Sequence, residues 1–137
     1  MNRIIIGDVG SGKTIVAVMA AIIAVKNGYQ VAFMAPTELL AMQHFKNYRE
    51  FLSQFDIRTD IILGSTKNKD RKLILNQIYN GDINIVFGTH SLFQDKVNYK
   101  NLGLVITDEQ QRFGVYQRKQ LADKGLYPDL LLLSATP

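Results

Sequence analysis

RIIIGDVGSGKTIVAVMAAIIAVKNGYQVAFMA, residues 3–35, is the stretch that decides how this chain folds. A β-branched run at residues 3–6 breaks at Gly7, helical spacing fills residues 13–27 up to Gly28, and a second, nearly continuous apolar run occupies residues 30–35. Strand runs with no polar alternation suit burial on both faces, and parallel neighbours require a crossover helix between them. Outward from this unit the pattern repeats. Residues 60–63, 83–87, 104–107 and 130–134 read as further strands; residues 38–54, 69–79 and 114–123 read as helices, with Gly81 as a second stop. The alternation predicts an α/β fold, a doubly wound and mostly parallel sheet with helices on both faces. Ligands of such sheets bind beyond the carboxyl ends of the strands.

The chain has 137 residues, enough for one core, and is read as a single domain over residues 1–137. Apolar residues make up 47% and charged residues 20%, with only 10 Gly and 3 Pro, which excludes disorder and fibrous repeats. With no Cys there is neither a disulfide framework nor a thiolate zinc site, which fits a cytoplasmic protein. The net charge of +4 is a mild excess compatible with phosphate-rich partners. The longest apolar run, residues 15–25, is too short to cross a bilayer, and the start lacks the order of a signal peptide, so no membrane partner is expected. Both termini lie hard against strands, as if cut from something longer.

Gly7, Asp8, Val9, Gly10, Ser11, Gly12, Lys13 and Thr14 match the pattern G-x-x-x-x-G-K-[ST] between a strand and a helix. Glycines at 7, 10 and 12 let successive backbone N–H groups converge on phosphate oxygens at a helix N-terminus. Lys13 would reach the β- and γ-phosphates of ATP, and Thr14 would offer its hydroxyl to Mg²⁺. The bland alternative is a Gly-rich turn that binds nothing. A second constellation is the apolar strand that ends in Asp108 and Glu109. Asp108 would hold the metal through its waters, and Glu109 would orient and deprotonate the attacking water. Otherwise the pair is a solvated acidic turn.

GDVGSGKT, APTELLAMQH at 35–44, GTHSL at 88–92, NLGLVITDEQQRFGV at 101–115 and SATP at 134–137 together resemble superfamily 2 helicases, and most closely the RecG family of ATP-dependent DNA helicases. The transcription-repair coupling factors are the nearest relatives to exclude. They typically carry Phe where Ser11 stands and a second Glu where Gln110 stands. The resemblance spans essentially the whole chain, in order.

It implies the first RecA-like motor domain, a P-loop NTPase unit that couples ATP hydrolysis to the remodelling of branched DNA in repair and recombination. Carried over residue by residue, Pro36, Thr37 and Glu38 resemble one DNA-contacting motif, while Gly88, Thr89 and His90 resemble another that meets the strand backbone. Backbone amides and hydroxyls there would grip phosphates without reading bases. Thr37 could equally be a helix N-cap, and His90 an ordinary surface histidine. His44 and His90 lack a third ligand for a metal. Ser134 and Thr136 resemble the motif that couples the nucleotide and DNA sites. Lys67, Lys69, Arg71 and Lys72 form the densest basic cluster, which reads as a solvated helix face or an extension of the DNA path.

The chain departs from the family at Gln111, where RecG helicases usually carry His. An amide can still bridge to Ser134 but cannot become cationic near neutral pH, so coupling with less pH sensitivity is expected. The family's second RecA-like domain, its arginine finger and its wedge domain have no counterpart in these residues, so the chain alone should be nearly inactive. A different class of protein, a nucleotide-responsive DNA- or protein-binding module without hydrolysis, would share the phosphate loop. A transporter or protease motor would share it too. Glu109 and the segment 134–136 speak against the pure switch, and the DNA-motif resemblances speak against the other motors.

Overall fold

The six apolar runs become six strands in one sheet. The computed structural model describes the backbone of residues 2–6, 13–94, 96–108 and 115–134, and the side chains of residues 15–94, 96–107 and 117–133. The elements in chain order are β1 (Asn2–Ile6), α1 (Lys13–Lys26), β2 (Gln30–Met34), α2 (Glu38–Ser53), β3 (Thr59–Ile62), α3 (Asn68–Asn80), β4 (Ile85–Gly88), a 3-10 helix (His90–Phe93), β5 (Leu102–Asp108), α4 (Val115–Asp123) and β6 (Asp129–Ser134). Strand order across the sheet is β1-β6-β5-β2-β4-β3, and every pairing is parallel.

Side-chain alternation along the strands divides the core into two layers. Val31, Phe33, Ile85, Phe87 and Ile106 pack with Ala17, Val18 and Ala21 of α1 and Leu52 of α2. Ala32, Met34, Val86 and Val105 pack on the other face with Ile74 and Ile78 of α3, Leu92 and Phe93 of the 3-10 helix, and Leu121 of α4. Helices therefore cover both faces, as the sequence pattern requires. Phe33 and Phe87 stack with centroids 5.1 Å apart, and the His44 ring lies 5.0 Å from Phe33, so His44 packs from α2 against that core layer. His90 sits elsewhere, on the 3-10 helix, and no cluster of three metal-ligating side chains occurs among the described residues.

Local chemistry sets the element ends. Thr37 caps α2 from an extended backbone, its hydroxyl oxygen accepting the Leu40 N–H at 3.2 Å. Gly81 stops α3 in the left-handed region at φ 84°, where the Asp82 N–H reaches the Gln77 carbonyl at 2.8 Å. At the amino edge of the sheet, the buried Gln30 acts as a clamp. Its amide nitrogen donates to the carbonyls of Ile78 and Ile83 at 2.8 and 2.9 Å, and its amide oxygen accepts the Asn101 N–H at 2.9 Å. No described helix is long and apolar enough to cross a membrane.

Candidate active site

Because all strands run the same way, every strand-end residue falls on one rim. Ile6 of β1 lies opposite Ser134, and Leu133 opposite Asp108. Thr107 lies opposite Met34, Met34 opposite Gly88, and Gly88 opposite Ile62. The strands that end on this rim are those that precede the segments singled out in the sequence: residues 7–14, 36–38, 88–91, 108–111 and 134–136. Gly7, Asp8, Val9, Gly10, Ser11, Gly12, Glu109, Gln110, Gln111 and Thr136 lie outside the described residues, as do the side chains of Lys13, Thr14, Asp108 and Ser134. Their backbone neighbours share one edge. The strand-end acid at 108 is thus on the same rim as the amino end of α1, and not across the sheet from it.

The amino end of α1 is suited to an anion. Its first N–H groups lack intrahelical partners and carry the positive end of the helix dipole. The first turn of α1 contains no acidic residue, whereas those of α2 and α3 carry Glu38 and Asp70. α1 packs on the same face of the sheet as α2, while α4 packs on the other.

The second group of motif residues occupies the same rim further along. Pro36 is half-buried, Thr37 is exposed, and Glu38 opens α2 with its carboxylate accepting the Gly64 N–H from the β3–α3 loop. Thr37 is the N-cap, so the bland alternative is realised, while its hydroxyl proton stays available to a ligand. Gly88 is buried. An added Cβ there would stand 2.8 Å from Leu92 Cδ2 and 2.9 Å from the Ile62 carbonyl, and its own carbonyl accepts the Ala35 N–H. Thr89 and Ser91 bring their hydroxyl oxygens to 3.5 Å, and His90 is exposed beside them. Below, the Tyr99 hydroxyl donates to the Leu92 carbonyl at 2.9 Å. Burial pushes the Tyr99 phenol far above its ordinary range, so it remains a donor at all physiological pH and anchors the 3-10 helix.

Two features went unread in the sequence. Thr107 is fully buried, and its hydroxyl has no hydrogen-bond partner among the described residues, one residue before Asp108. The signal was available as the one hydroxyl in an otherwise apolar strand. The other is Arg71, grouped in the sequence with a basic cluster. Its guanidinium donates to the Leu63 carbonyl, leaving Lys67, Lys69 and Lys72 as the exposed cations of that cluster. A groove of about 1010 Å³ between α1 and the starts of β5 and β6, lined by Ile23, Tyr29, Leu104 and Leu130, lies at the opposite edge from the motif row.

The profile of the DEAD/DEAH box helicases matches residues 1–137. The chain belongs to the DEAD/DEAH box helicase family. Members of this family use ATP. The chain is 52% identical over 139 residues to the ATP-dependent DNA helicase RecG of Aquifex aeolicus, covering 100% of this chain and 18% of that protein. It is 50% identical over 137 residues to the RecG of Bacillus subtilis, covering 100% of this chain and 20% of the relative. The chain therefore spans about a fifth of the length of these curated relatives. A solved structure of RecG bound to a three-way DNA junction superposes with a TM-score of 0.87 at 46% identity, covering 100% of this chain and 18% of that one. A DEAD-box domain of Mss116p bound to an RNA duplex matches at TM-score 0.78 and 12% identity, covering 98% and 54%, which speaks to the fold alone. The doubly wound sheet is that of RecA-like helicase domains.

Proposed function

We propose that these residues form the ATP-binding motor half of a RecG-like DNA helicase, acting in the cytoplasm on branched or single-stranded DNA. The carrying observation is the shared rim: the amino end of α1, the strand-end residue 108, the strand-end residue 134 and the loops at 36–38 and 88–91 all leave one edge of one sheet. In this reading, amides of residues 7–12 and the ammonium of Lys13 bind the phosphates of ATP. Thr14 and Asp108 would hold Mg²⁺, which supplies charge neutralisation at the β- and γ-phosphates when bound. An acid-free first turn of α1 and a strand that ends in an aspartate on the same rim fit that donor set. Glu109 orients the attacking water and accepts its proton. Gln111, Ser134 and Thr136 transmit the nucleotide state to the DNA loops, and the loops that carry Pro36, Thr37, Glu38, Gly88, Thr89 and His90 form the contact surface.

Since the chain is about a fifth as long as its relatives, the second RecA-like domain with its arginine finger and the wedge domain are proposed as further parts of one parent polypeptide. Their participation explains why hydrolysis by residues 1–137 alone should be small. The pure nucleotide switch is not favoured, because the relatives that share these motifs are ATP-dependent helicases. The test is Glu109→Gln in the intact helicase carrying this domain. Mg·ATP binding should persist at native affinity while DNA-stimulated turnover falls by about 10² to 10⁴. Undiminished turnover would overturn the assignment.

A further inference from the structure

Glu38 raises an electrostatic difficulty for the surface just described. A carboxylate set among loops that grip a phosphate backbone repels it. The structure gives the carboxylate another occupation. Its Oε2 accepts the Gly64 N–H, 26 positions along the chain, in the loop between β3 and α3. A Cβ at position 64 would lie 2.9 Å from that oxygen, so a larger residue there would push the carboxylate aside. The loop is closed upon itself as well. The Leu63 N–H donates to Thr66 Oγ1 at 2.9 Å, the Thr66 N–H returns to the Leu63 carbonyl at 3.1 Å, and the Arg71 guanidinium donates to the same carbonyl.

The location of this tether matters. α2 and α3 pack on opposite faces of the sheet, and β4 lies between β2 and β3. A bond from the first residue of α2 to the loop after β3 therefore bridges the carboxyl end of β4, from which Thr89 emerges. It gathers the loops at 36–38, 63–67 and 89–91 into one surface. Exposed on it are Thr37, Ser65, Lys67 and Lys69. Resting on the helicase reading above, we infer that Glu38 is a positioning residue for the DNA grip: its carboxylate touches no DNA, and it locks the 63–67 loop in place so that Lys67 and Lys69 meet the strand's phosphates beside Thr37 and Thr89.

The experiment is fluorescence anisotropy of a labelled oligothymidylate titrated with the 137-residue chain at two salt concentrations. Glu38→Ala should weaken DNA binding about tenfold, although removing an acid from a cationic rim would by itself tighten it. Glu38→Gln keeps an oxygen for the Gly64 N–H and should bind as well as the native chain or better. Amide exchange at Gly64 should quicken in the Ala variant alone, and Mg·ADP affinity should hold in both. Tighter or unchanged DNA binding in Glu38→Ala, or equal loss in the two variants, overturns the inference. Should Glu38→Ala fail to fold, Lys67→Ala with Lys69→Ala, at two exposed positions, reads the same surface. The log–log salt slope should shrink by about 0.7 per lysine removed, with thermal stability unchanged, and an unaltered slope overturns the inference. If the native chain binds no oligothymidylate, it is the DNA-binding reading of the whole rim that fails, and this inference with it.

Discussion

The two edges of the sheet use polar side chains in opposite ways. At the amino edge they are consumed by the fold: Gln30 clamps three backbone groups, Asn101 Nδ2 donates to the Gly28 carbonyl, the Asn84 side chain accepts the Arg58 N–H, Lys26 reaches the Phe55 carbonyl, and Lys124 reaches the carbonyls of Gln94 and Val97. At the carboxyl edge the described side chains are spent less completely. Thr37 and Glu38 each hold one amide, Thr89 and Ser91 make a long mutual contact, and the Thr107 hydroxyl has no partner among the described residues. The amino edge closes its loops with side chains throughout, whereas at the carboxyl edge Glu38, Thr66 and Arg71 close the 63–67 loop and the described hydroxyls of Thr89, Ser91 and Thr107 are left loosely paired. A buried polar group left unpaired costs about 1–3 kcal/mol, so such groups persist where function rather than folding selects them.

Substitutions at the two edges should therefore divide cleanly between stability and binding. The largest effect on stability is expected from Gln30→Leu, which leaves the Ile83 carbonyl and the Asn101 N–H without their side-chain partner and the Ile78 carbonyl with the Gly81 N–H alone. Urea unfolding should show a loss of about 2–4 kcal/mol, with nucleotide affinity of the folded protein intact. A loss confined to nucleotide binding would erase the contrast between the edges. A smaller effect of opposite sign is expected at the other edge. Thr107→Val removes an unsatisfied hydroxyl at nearly constant shape and should raise stability by about 1 kcal/mol in the same assay. Destabilisation would mean that the hydroxyl is already satisfied within the fold.

The sequence carried the architecture further than it carried the site. Period and β-branching predict all six strands and four helices, because strands buried on both faces must be apolar throughout and the helices between them must cover both faces. The differences lie where side chains intervene in the ladder. β4 begins at Ile85 and not at Ile83, since the Ile83 carbonyl is taken by Gln30 and the Asn84 N–H by Arg58. β3 ends at Ile62 because the Leu63 N–H turns to the Thr66 hydroxyl. β5 reaches back to Leu102 through a register shift opposite residues 30 and 31. The 3-10 helix at His90–Phe93 is too short for any periodicity to announce. Strand order is likewise absent from local pattern, being decided by which crossovers pack. Within the site, motif spacing identified the loops on the shared rim, but the partner of Glu38 lies 26 residues away and only folding brings them together.

The central claim is that the carboxyl edge near β1 binds a polyphosphate through residues 7–14. Calorimetric titration of the chain with Mg·ADP, native and Lys13→Ala side by side, tests it most directly. The account predicts one site per chain in the native protein and an affinity at least about 100-fold weaker in the variant, with its thermal unfolding unchanged in the absence of nucleotide. Equal affinity in the two proteins, or no binding by a folded native chain, would contradict it.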